Sequence, residues 1–134
     1  MSLITWSESY SVGVKLFDEQ HQKLIEIINR LYEAMKIGQG KTVIGEILKE
    51  LSEYTIYHFQ AEEEKFDLFS YPGKDSHKEE HQILIDKVKK LQEEHQAEKL
   101  LVSINTMKLL NDWIINHING SDKKYTSFFK DKDI

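Results

Sequence analysis

Two pairs of potential metal ligands, each four residues apart, frame residues 58–81: His58 with Glu62, and His77 with His81. On a helix, residues i and i+4 stack on one face, so each pair can reach a single point in space. Between the pairs lies Tyr71-Pro72-Gly73. Proline removes a backbone donor and biases the residue before it away from helix, and Gly73 permits a positive φ. The chain should reverse there and fold the second pair back onto the first. The pattern reads as half of a metal site built between antiparallel helices.

The elements that must carry these pairs are helices. Phe17, His21, Leu24, Ile28, Leu31 and Met35 recur at spacings of 4 and 3, the mark of a buried helical seam. That first helix is expected from Asp18, as N-cap, to just before Gly38. A second should run from Thr42 to Phe69, with Ile44, Ile47, Leu51, Tyr54 or Thr55, His58, Glu62 and Phe66 inward. A third is expected from Ser76, where Ser76-His77-Lys78-Glu79 fits a capping box. It carries His77, His81, Leu84, Val88, Leu91 and His95 on one face. The fourth, Glu98 to Ile118, presents Leu101, Ile104, Met107, Leu110, Ile114 and His117. A stop at Asn119-Gly120 and a short helix over Lys123–Phe129 follow. Residues 1–16 lack a helical period and read as an extended arm whose Trp6 and Tyr10 cover something apolar. The fold class is therefore all-α: an antiparallel up-down-up-down four-helix bundle with an N-terminal arm and a short C-terminal helix, one domain over residues 1–134.

Set antiparallel, the helices bring His21, His58, Glu62, His77, His81 and His117 to one end. Asp122 joins them if the chain turns at Gly120. His95 lies fourteen residues after His81, hence ~21 Å along the helix, and belongs to the far end, partly buried or facing solvent. Singly, each residue has a plainer reading. A seam histidine is usually a satisfied core residue, Glu62 sits in an acidic run that would suit a solvated face, and Asp122 would serve as an N-cap. Together, five imidazoles and two carboxylates at one level would be costly to bury, and a metal removes that cost.

The 134 residues carry a net charge of −5, 31% charged and 40% hydrophobic residues, one proline and six glycines. No basic cluster offers a nucleic-acid footprint, and no apolar run approaches the ~18 residues that would span a bilayer. The absence of cysteine excludes disulfides, thiolate zinc sites and cysteine-held iron–sulfur clusters. The opening MSLITWSES has no secretory pattern, so a cytoplasmic location is expected. Imidazole and carboxylate without thiolate suit iron, and there are more ligands than one tetrahedral zinc can use. The motif His77-Lys78-Glu79-Glu80-His81 also fits inverted zinc peptidases, but that reading leaves His21, His58 and His117 unexplained.

Asp18-Glu19-Gln20-His21, His58-Phe59-x-x-Glu62-Glu63, His77-x-x-x-His81 and Trp113-x-x-x-His117-Ile118-x-x-x-Asp122, with Trp6 and Gly13 in the arm, resemble the signatures of single-domain bacterial hemerythrins. Phe66 stands where many members have methionine. The resemblance implies two iron ions with a bridging oxo or hydroxo group. One ion would take His77, His81 and His117, the other His21 and His58, with Glu62 and Asp122 shared. The second ion would then keep an open position for dioxygen, bound reversibly in a dry pocket of Leu24, Phe59, Trp113, Ile114 and Ile118. Tyr125 would pack over the site from the final helix. The expected role is a non-enzymatic oxygen carrier or store. The alternatives are an oxygen sensor, a nitric oxide-binding protein, or an oxidase or peroxidase on the same centre.

Overall fold

A computed structural model describes residues 4–38, 41–96 and 104–132. Its helices are α1 (Lys15–Lys36), α2 (Lys41–Leu68), α3 (Lys74–Gln96), α4 (Ile104–Asn119) and a single turn, α5 (Thr126–Phe129). Helix α1 packs against α2 and α4, and α2 packs against α3, in an antiparallel four-helix bundle. Among the described residues there is no strand, and no helix is long and apolar enough to cross a membrane.

Helix α1 begins at Lys15, three residues before the expected cap. Val14 occupies the N-cap position without a side-chain bond. Asp18 instead turns back to the arm, accepting from the Val12 N–H at 2.8 Å and the Ser11 hydroxyl at 2.6 Å. Its carboxylate ties the arm to the helix rather than starting the helix. Val12 and Val14 are buried under that tie, and Ile4 is pinned to α1 by two bonds with the Asn29 amide, at 3.1 and 2.8 Å. The arm is broken by a 3-10 turn at Glu8–Tyr10 and by Gly13, whose φ is 75°. Within α1 the seam is as spaced: Phe17, His21, Leu24, Ile28 and Leu31 are buried, with Met35 half-buried.

The reversal between α2 and α3 differs from expectation in its chemistry. The positive φ falls on Ser70 (55°), not on Gly73. The Tyr71 N–H reaches the Phe66 carbonyl at 2.8 Å and the Ser70 N–H reaches the Asp67 carbonyl at 3.4 Å. These are the two bonds of a Schellman stop, and the accompanying apolar contact is Phe66 against Tyr71, with ring centroids 5.0 Å apart. A Cβ on Gly73 would stand 3.1 Å from the Tyr71 ring, so glycine is there for room. Helix α3 starts at Lys74, which leaves Ser76 inside the first turn rather than capping it.

In α2, Thr55 is the buried member of the Tyr54/Thr55 alternative. His95 lies at the far end, buried rather than partly exposed, with its ring 3.7 Å from where a Gly45 Cβ would stand. The expected start of the fourth helix and Leu101 lie outside the described residues, as do the side chains of Ile104 and Met107. The expected helix over Lys123–Phe129 is split into a 3-10 turn, Asp122–Tyr125, and α5. That segment plugs the site end of the bundle. Tyr125 lies between Phe17 and Phe66, at 5.6 and 5.7 Å, and Phe129 stacks on Phe66 at 6.1 Å.

A left-handed Ser70 carries a backbone penalty of about 1–2 kcal/mol, whereas glycine adopts this conformation freely but loses more entropy on folding. Ser70→Gly is therefore expected to stabilise the fold by about 0.5 kcal/mol, read as a raised denaturation midpoint at equal metal content. A lowered midpoint would contradict the Schellman assignment.

Candidate metal centre

His21 stands in the second turn of α1, His58 and Glu62 in the C-terminal half of α2, His77 and His81 at the start of α3, and His117 at the end of α4. The antiparallel order puts these positions at one level. Asp122 arrives through the turn after α4: the Gly120 N–H bonds the Asn116 carbonyl at 2.9 Å, and a Cβ on Gly120 would stand 2.9 Å from that same oxygen. Glycine thus lets the chain tuck Asp122 inward, where it is 1% exposed.

All five imidazoles point Nε2 at the two carboxylates, and each carboxylate divides its oxygens between two sides. Glu62 Oε1 lies 3.1 Å from His81 and 3.8 Å from His77. Its Oε2 lies 3.6 Å from His21 and 3.5 Å from His58. Asp122 Oδ1 lies 2.7 Å from His77 and 3.1 Å from His117, while its Oδ2 lies 3.1 Å from His21. Two groups result: Glu62, His77, His81, His117 and Asp122; and His21, His58, Glu62 and Asp122. The ligand atoms of each group lie within 4.8 Å of one another, and both carboxylates belong to both groups.

The chemistry of this cluster fits cations. The Nε2 atoms of His21, His77, His81 and His117, Glu62 Oε1 and both Asp122 oxygens are buried without a hydrogen-bond partner. An unsatisfied buried polar atom costs about 1–3 kcal/mol, so this many at one point call for a positively charged occupant. Two adjoining groups of imidazole and carboxylate donors, linked by shared acids and lacking thiolate, suit a pair of iron ions.

Four supporting residues were not legible as such in the sequence. Gln20 Oε1 meets His58 Nδ1 at 2.6 Å, Glu63 Oε2 meets His81 Nδ1 at 2.8 Å, and Glu80 Oε1 meets His117 Nδ1 at 3.3 Å. Ser121 donates its hydroxyl to Glu80 at 2.7 Å. Gln20 and Glu63 stand in the quoted signatures without an assigned role, and each of the four sits beside a residue of the cluster. Glu80, the acid of the peptidase-like motif, thus faces His117 and Ser121 rather than the cluster's centre. Tyr125, expected over the site, donates its hydroxyl to Glu62 Oε2 at 2.6 Å.

A small cavity adjoins the two-imidazole side, with room of about 10 Å³ for the centre of a water-sized molecule. Leu24, Phe59, Trp113, Ile114 and Ile118 all line it, with Leu84, His21, His58, His117 and Asp122. His77 and His81 do not reach it. Its aromatic walls are pinned to the cluster: Phe59 stacks on His81 at 3.7 Å, and Trp113 stacks on His117 at 5.0 Å.

Burial pulls the His21 imidazolium down, but Asp122 and Glu62 outweigh it and push the pKa up to about 10. His81 is pushed up to about 9, where Glu62 and Glu63 overcome the burial. His58, with burial dominant, is pushed down to about 3. Burial alone would raise Glu62 and Asp122, yet the surrounding imidazoles hold both below the usual carboxylate range. In the metal-free protein, His21 and His81 therefore stabilise the fold fully below pH 6.5, and that contribution fades as pH rises through 9 and 10. His58 acts oppositely, stabilising above 6.5 and losing its contribution as pH falls towards 3. A metal held by His21 and His81 would displace their protons. With His117 pushed up as well, uptake near pH 7 is expected to release two or more protons, and affinity should climb with pH until about 10. Calorimetry in buffers of different ionisation enthalpy measures this directly, and proton-neutral uptake at pH 7 would contradict it.

Residues 12–128 match the family model of the Hemerythrin HHE cation binding domain, a span that takes in the whole cluster. A bacteriohemerythrin of Stenotrophomonas maltophilia (strain R551-3) is 34% identical over 131 residues, 97% of this chain and 84% of that one. Another, of Methylococcus capsulatus, is 31% identical over 126 residues, 93% and 95% of the two chains. A hemerythrin-like protein of Naegleria gruberi is 32% identical, covering 92% of each. Among solved structures, wild-type hemerythrin superposes with a TM-score of 0.89 at 30% identity, over 94% of this chain and 97% of that one. A cation-binding family and a buried His/Glu/Asp cluster both fit a di-iron centre. With the family match spanning most of the chain and relatives about a third identical along nearly all of it, the protein belongs to the hemerythrin family.

Proposed function

We propose that this chain is a carrier or store that binds dioxygen reversibly at a di-iron centre. The ligands are His77, His81 and His117 on one side and His21 and His58 on the other, with Glu62 and Asp122 across both. The observation that carries the reading is the unequal count of imidazoles, together with the apolar cavity on the poorer side. Relatives named bacteriohemerythrin support it. Two ferrous ions would supply the electrons and the open coordination position that dioxygen needs.

The chain's own residues do the rest. Leu24, Phe59, Leu84, Ile114 and Ile118 are almost fully buried and keep water and anions from the open side. None of them carries an acid or base, so the cavity offers no proton donor beyond the ligands and the Trp113 indole. That favours binding and release over turnover. Tyr125, with its hydroxyl on Glu62 and its own pKa held well above 10 by burial, stays protonated and fixes the orientation of the shared carboxylate.

The reduced, iron-loaded protein is expected to gain a visible absorption band on exposure to air and to lose it on degassing, through repeated cycles. A band that never reverses, or catalytic consumption of peroxide or nitric oxide, would overturn the carrier reading. Leu24→Ala should keep its iron and autoxidise at least several-fold faster. His77→Ala should lose iron, measured by metal analysis. Equal loss of iron in the two variants would remove the pocket argument.

A further inference from the structure

Residues beside the cluster form a relay around the bundle. Gln20 of α1 supports His58 of α2, Glu63 of α2 supports His81 of α3, and Glu80 of α3 supports His117 of α4. The three supports differ in charge. Both carboxylates stand behind imidazoles of the three-histidine group. The two-histidine group has a neutral amide behind His58, and His21 Nδ1 is buried without a partner. Glu62 and Asp122 present an oxygen to each side, so the shared acids do little to set the sides apart.

We infer that Glu63 and Glu80 are positioning residues that make the three-histidine half the tighter of two metal positions, so that it fills first. The inference rests on the dinuclear reading above. A carboxylate accepting the Nδ1 proton draws positive charge out of the ring and makes Nε2 a stronger donor, and losing such a partner weakens metal binding about 10–100-fold. An amide oxygen does this less. Ser121 holds the Glu80 carboxylate in place at 2.7 Å and is the neighbour of Asp122, so one turn sets both the outer anion and the shared acid. Glu63 and Glu80 keep part of their surface open to water, with side chains 29% and 38% exposed.

The test is a titration of the metal-free chain with Co²⁺, followed by absorption and calorimetry. Two unequal steps are expected. Glu63→Gln and Glu80→Gln keep the shape of the acceptor and remove its charge; each should weaken the first step about tenfold and leave the second unchanged. Gln20→Glu should strengthen the second step and narrow the gap. His58→Ala should leave the first step in place, and His117→Ala should abolish it. Circular dichroism checks that each variant is folded. Two ions bound in equal steps, or Gln variants that weaken both steps alike, would overturn the inference alone. A wild-type chain that takes up fewer than two ions would overturn the dinuclear reading and the inference with it.

Discussion

Five imidazoles and two carboxylates share one level of a largely apolar bundle interior, and the rest of the architecture answers to that burial. Ionised groups in such a place are tolerated only when paired and hydrogen-bonded. The protein supplies part of that pairing itself. Three Nδ1 atoms meet Gln20, Glu63 or Glu80, and Tyr125 bonds Glu62. The inward atoms are left to one another, mostly in contacts too poorly aligned to be hydrogen bonds. Apart from His21 Nδ1, which is buried without a partner, the cluster is thus supported from outside and unsatisfied at its centre, the electrostatic condition for holding cations.

The outer bonds also explain how four helices are kept in phase. Neighbours in a helical sequence point about 100° apart, so a residue beside an inward ligand faces the next helix rather than the centre. Gln20, Glu63 and Glu80 use that angle to reach one helix onward. Each bond fixes the rotation of two helices relative to each other as well as the tilt of one imidazole ring. The Schellman stop at Ser70 performs the matching task along the axis, because the length of the α2–α3 turn sets the height of His77 and His81 against Glu62.

Much of this was legible in residue spacing. Seams of 3 and 4 in α1 and α3 located the buried faces, and i,i+4 pairs identified the residues that the structure brings together. What spacing could not convey was anything decided between elements. Asp18 has the composition of a helix cap, but the arm folding back over it converts its carboxylate into a tie for Ser11 and Val12. Gly73 has the freedom for a positive φ, yet the Phe66–Tyr71 contact moves the turn's left-handed residue to Ser70. Glu63 and Glu80 look like members of a solvated face, and only the relative rotation of α2, α3 and α4 turns them towards histidines.

The position of the cavity follows from which helices bring only one residue to the cluster. Helix α3 spends both members of its i,i+4 pair on the three-histidine group, and α2 contributes His58 and Glu62. Helices α1 and α4 each bring a single imidazole, so the positions one turn away are free to be apolar. One turn on from His21 stands Leu24, and one turn back from His117 stand Ile114 and Trp113. These side chains occupy the places where further ligands would otherwise project, and with Phe59 and Ile118 they wall the cavity. The shortage of polar donors on α1 and α4 and the apolar lining of the space beside them thus have one origin. A third i,i+4 pair of imidazole or carboxylate would put a donor into that space and remove its apolar wall together, so the proposed open seat and its shelter come from the same choice of residues on α1 and α4.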